Sequence, residues 1–87
     1  MGIGELLAGW MARAGLSQAA FAERVGKSRA AIGLQVDGTN KPDRASLALY
    51  CERLELNAAE AAELYAACDT PLPKSVLDRI ATVESTA

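Results

Sequence analysis

The stretch from Leu16 to Gly38, LSQAAFAERVGKSRAAIGLQVDG, constrains the fold more than any other part of the chain, because it reads as two short helices hinged at a glycine. Ser17 is placed to cap a first helix over Gln18 to Val25, with Phe21, Ala22 and Val25 on one face at i, i+1 and i+4. Gly26 ends it, since the residue just past a helix often takes the left-handed conformation that glycine adopts without a Cβ penalty. Ser28 caps a second helix over Arg29 to Val36, whose inward side is Ile32 and Val36. Ala22 is small where the two helices would cross, and a bulky side chain there would force them apart.

Helices of eight residues are only about 12 Å long and are not stable alone, so this helix-turn-helix must be clamped by neighbours. Upstream, Ile3, Leu6, Leu7, Trp10, Met11 and Ala14 form the apolar stripe of a helix that Gly15 stops. Downstream, Asp37-Gly38-Thr39-Asn40-Lys41-Pro42-Asp43 marks a loop. Asp43 caps a fourth helix through Leu54, carrying Leu47, Leu49, Tyr50 and Leu54. Asn57 and Glu60 form a capping-box-like start to a fifth helix ending near Ala67, with Leu64 and Tyr65 apolar. Pro71 and Pro73 break the chain. A short sixth helix from Lys74 to about Val83 carries Val76, Leu77, Ile80 and Val83 on one stripe, and Glu84 to Ala87 read as a frayed end. The fold class is therefore all-α.

Eighty-seven residues make one small domain, and with alanine supplying much of the 51% hydrophobic fraction and only four aromatic side chains the core is thin. No run reaches the roughly 18 apolar residues of a membrane span, and the N-terminus MGIGELLAGWMARAG has no basic leader ahead of its apolar part. These features predict a cytoplasmic protein. Two cysteines without any histidine do not assemble a four-ligand zinc site in one chain, so Cys51 and Cys68 read as reduced core thiols, with a redox switch as the alternative. No metal or other cofactor is expected. The same absence of histidine, of paired carboxylates in a cleft, of a phosphate-cradling glycine loop and of strands leaves no acid, base or nucleophile constellation, so no enzyme is predicted.

The net charge of −2 hides an asymmetry. Arg13, Arg24, Lys27, Arg29, Lys41 and Arg44 outnumber Glu23, Asp37 and Asp43, whereas Arg53 alone faces Glu52, Glu55, Glu60, Glu63 and Asp69. One face would meet a polyanion while the remainder stays acidic; the alternative is ordinary surface charge. The major groove of DNA is about 12 Å wide and admits one α-helix. At 100° per residue, Ile32 and Val36 point inward, Ala30 and Leu34 outward, and Ala31 and Gly33 to the sides.

The spacing Gln18, Ala22, Gly26, Ile32, Gly38 resembles the lambda repressor/Cro (XRE) family of DNA-binding domains, and the likeness continues through Pro42 and the Leu47 to Leu56 helix. It implies a lambda repressor-like bundle of five short helices over residues 1–69, with 70–87 as a C-terminal helical extension. It further implies that Gln18 bonds a phosphate, that Ser28, Arg29, Ala30, Gly33 and Leu34 lie nearest base edges, and that Lys41 and Arg44 touch the DNA backbone. Lys27 and Asn40 complete the candidate DNA-binding set. Lys27 and Gln35 depart from the family pattern, which usually keeps apolar residues there, and Asp37 stands where many members approach a phosphate.

The function that follows is a sequence-specific transcriptional regulator, most simply a repressor that binds a palindromic operator in double-stranded DNA as a homodimer. Arg29 would read a guanine, or else be a solvated helix-start residue. Val76, Leu77, Ile80 and Val83 would hold the dimer, or else fold back onto their own domain. The alternative function is an antitoxin-like or adaptor module that binds a protein partner through Leu34 and the last helix.

Overall fold

A computed structural model describes the backbone of residues 2–86 and the side chains of residues 2–81, and all its regular structure is helical. The six helices are α1 (Ile3–Arg13), α2 (Gln18–Val25), α3 (Arg29–Val36), α4 (Arg44–Arg53), α5 (Ala58–Ala67) and α6 (Lys74–Thr86). Four of the starts are fixed by one side chain each: Ser17, Ser28, Asp43 and Asn57 accept from the backbone N–H of Ala20, Ala31, Ser46 and Glu60 at 2.8–3.1 Å. Asn57 and Glu60 complete a reciprocal capping box, so two amides at the start of α5 are satisfied together.

The helix ends follow one rule. After each of α1 to α5 a residue turns left-handed: Gly15 (φ 71), Gly26 (φ 68), Gly38 (φ 81), Glu55 (φ 53) and Asp69 (φ 51). The next backbone N–H then reaches back five residues, as in Lys27 to Ala22 at 2.9 Å and Thr70 to Tyr65 at 3.0 Å. Carbonyls left free at each helix end are thereby paired. Helix α6 departs from the expected short helix with a frayed end: its backbone stays helical through Thr86, because no glycine or proline follows Val83 to stop it.

The core draws on every helix. Leu7, Phe21, Ile32, Leu47, Tyr50, Ala61 and Leu64 are wholly shielded from solvent, and all four aromatic side chains are buried. Helix α1 lies so close to the end of α3 that a Cβ on Gly4 would stand 1.9 Å from the carbonyl oxygen of Val36. The ring of Phe21 meets that of Tyr50 edge-on, centroids 5.0 Å apart, which ties α2 to α4. The same tyrosine ties α3 to α4, its hydroxyl donating to Gln35 Oε1 at 2.6 Å. Gln35 is therefore an inward residue of α3, only 7% exposed, and its polar end is satisfied by a tyrosine where an apolar side chain was expected.

Helix α6 folds back onto the first five helices, the second of the two arrangements its stripe allowed. Val76 and Ile80 are each 8% exposed and belong to the same core as the first five helices, so the start of the C-terminal extension packs on residues 1–69. Those two side chains are accordingly not a free face for a second copy. Leu77 alone of the predicted stripe stays exposed, and the side chain of Val83 lies outside the described residues. Arg79 holds the helix down through Glu52 at 3.0 Å. Among the described residues no helix is long and apolar enough to cross a membrane.

Candidate nucleic-acid interface

The exposed side of α3 is set by what its other side buries. Ile32 and Gln35 point into the core and Val36 packs against it, which turns Arg29, Ala30 and Leu34 toward solvent with Ala31 and Gly33 between. Leu34 is 41% exposed. Gln18, at the first position of α2, lies alongside: a Cβ on Gly33 would meet its Oε1 at 3.6 Å. The outer surface of α3 is thus small and apolar, edged by one amide at α2 and one guanidinium at its own start.

Around this surface the predicted basic residues separate into two groups. Arg24 ends α2, Lys27 lies in the turn, Arg29 opens α3 and Arg44 opens α4, and none of the four has an ion-pair partner among the described residues. Lys27 approaches the start of α4 closely enough to help hold the Asp43 carboxyl below its usual range; the larger cause is the hydrogen bonding from Ser46. Asp43 is committed to its cap, so the corner made by the α2–α3 turn and the start of α4 keeps a surplus of positive charge.

Arg13 and Lys41 belong to the second group. Arg13 forms a two-point pair with Glu60, joining the end of α1 to the start of α5, and that contact holds the Glu60 carboxyl below its usual range. Lys41, expected to touch the DNA backbone, has its ammonium 3.1 Å from Asp69 Oδ2, beyond the end of α5. It also shares a shallow groove with Glu5 and Asp37. Asn40 is exposed in the same loop and makes no side-chain hydrogen bond among the described residues. Ser28 is a cap, its oxygen engaged by Ala31 N–H at 3.1 Å.

Sequence reasoning missed three residues that shape this surface. Gln35 was legible only as an oddity, although a buried tyrosine hydroxyl on a facing helix needs a partner and Tyr50 supplies that signal. A glycine inside a helical stripe, as at Gly4, usually marks a close approach. Asp69 left no signal, because its partner is distant in the chain.

The two cysteines sit apart from this surface. Both are buried and free, and loss of solvation pushes the Cys51 thiol up to about 11 and raises that of Cys68. Protonated, enclosed thiols are poor nucleophiles, in keeping with a packing role.

No protein-family model matches the chain, and no curated protein or solved structure matches it either.

Proposed function

We propose that the protein is a sequence-specific DNA-binding regulator of the lambda repressor/Cro type that lays α3 in the major groove, most simply repressing by occupying an operator. The observation that carries this reading is the corner at the start of α3, where Arg24, Lys27, Arg29 and Arg44 have no ion-pair partner among the described residues and stand beside an exposed helix with a small-residue face. A narrow apolar face permits close entry into the groove, and the surrounding cations favour a polyanion. In this arrangement Arg29 is the one long donor for a guanine edge, Ala30 and Leu34 meet thymine methyls, and Gln18 with the cations of the corner engages phosphates.

Selection of bound duplexes from a random pool tests the reading directly. Arg29→Ala should cost about 1–3 kcal/mol on the selected site and relax choice at one base pair, with a much smaller effect on random duplex. Failure to enrich any sequence at low salt would refute the proposal, and equal weakening on selected and random DNA would remove Arg29 from base reading.

The exposed Leu34 also supports a second reading, in which α3 docks on a protein partner instead of DNA. Under it, Leu34→Asp would abolish a stoichiometric protein complex, and no duplex would bind at any salt concentration.

A further inference from the structure

Lys41 sits in the loop between α3 and α4, where the resemblance to the lambda repressor/Cro family implies a contact with the DNA backbone, yet its ammonium already faces a carboxylate 3.1 Å away. That carboxylate belongs to Asp69, 28 residues along the chain. Two features of Asp69 stand out. Its backbone is left-handed, φ 51, at a position equivalent to those filled by Gly15, Gly26 and Gly38 after α1, α2 and α3. Glycine meets that demand with least strain, and aspartate is one of the few other residues that tolerate it. The side chain it adds is 86% exposed and is directed at Lys41, itself 52% exposed. An exposed pair of this kind contributes little to folding, and its partners exchange readily with other ions in solution. A phosphate presents the same chemistry to Lys41 as the carboxylate does.

We propose that Asp69 is an internal competitor of the DNA phosphate for Lys41, so that the end of α5 sets the affinity of the loop for the polyanion. This rests on the DNA-binding reading above and adds to it a negative determinant outside the α2–α3 unit. When DNA is absent, Asp69 neutralises the loop cation. When DNA arrives, the carboxylate must yield Lys41 and then stands as a like charge beside the phosphate. Glu5 and Asp37, which line the same groove, add to the repulsion, so Lys41 contributes less to binding than the cations of the α3 corner.

The test needs no knowledge of the operator, because phosphate contacts are independent of sequence. Binding of a random-sequence duplex of about 20 base pairs is measured in low salt for the wild-type chain, Asp69→Asn, Lys41→Ala and the double variant. Asparagine keeps the left-handed turn accessible, and an unchanged unfolding midpoint for Asp69→Asn checks that the fold is intact. Asp69→Asn should bind roughly two- to fivefold more tightly, the range of an exposed ion pair. The gain should shrink as salt rises and be clearly smaller when Lys41 is alanine, where only the like-charge repulsion is relieved. Equal binding by Asp69→Asn and the wild type would overturn the competitor, as would a gain of the same size with and without Lys41. Absence of duplex binding by all four proteins would instead remove the DNA-binding reading, and this inference with it.

Discussion

Gln35 and Gly4 show how single residues of this chain set the pose of the exposed helix. Gln35 breaks the apolar pattern of α3, yet its oxygen accepts from the buried Tyr50 hydroxyl, so the polar group fixes the rotation of α3 against α4 where a smooth apolar contact would let it slide. Gly4 fixes the same end of that helix from the side of α1 by admitting the Val36 carbonyl oxygen to where a Cβ would be. Gly4→Ala must therefore move α1 away from α3, and overpacking of this sort costs about 1–3 kcal/mol, with the upper part of the range expected because the obstacle is backbone. Chemical denaturation reads that loss directly; a variant as stable as the wild type would mean that α1 shifts without penalty. The candidate site was legible in the sequence at Arg29, Ala30, Gly33 and Leu34, because their outward direction follows from helical period alone once Ile32 is placed inside. It was not legible at Lys41, whose partner Asp69 is distant in the chain and close only in the folded molecule.

At the scale of the element, the chain announces its helix starts more clearly than its helix ends. Ser17, Ser28, Asp43 and Asn57 each carry the short polar side chain that a first turn needs, and each makes the expected bond. Of the five left-handed ends, three carry glycine and are readable, while Glu55 and Asp69 are not, since nothing in a glutamate or aspartate marks a positive φ. Glutamate lacks the short side chain that lets asparagine or aspartate bond locally in this conformation, so Glu55 carries strain that the pairing of Leu56 N–H with Cys51 at 3.0 Å holds in place. Glu55→Gly should consequently raise stability by about 1 kcal/mol, less whatever freedom the glycine adds to the unfolded chain. The measurable outcome is a higher denaturant midpoint with an unchanged slope; a lower midpoint would show that the glutamate side chain contributes more than the strain removes.

For the whole molecule the question is what α6 does. The Cα radius of gyration, 12.2 Å, matches the roughly 12 Å expected of a compact chain of this length, so the last helix lies against the domain and does not project from it. Each buried side chain of Val or Ile size contributes about 1.5–3 kcal/mol, and Val76 and Ile80 together are a substantial share of the stability of a domain with so few large core residues. Among the described side chains of α6 the large apolar one left exposed is Leu77, and a single side chain offers little of the roughly 1,000 Å² that a stable interface requires. The protein alone should accordingly sediment at micromolar concentration as a monomer of 9.1 kDa. Under the proposed DNA-binding reading, two copies would then meet on a palindrome with half-sites about 34–36 Å apart, each held mainly by its own DNA contacts. Ending the chain after Asp69 should lower stability by about 3–5 kcal/mol, because the cavity left over α4 and α5 exposes Cys51 and Leu56 as well as removing the two side chains. A dimer of the full chain that became a folded monomer on that truncation would reverse the assignment and return the α6 stripe to the pairing surface.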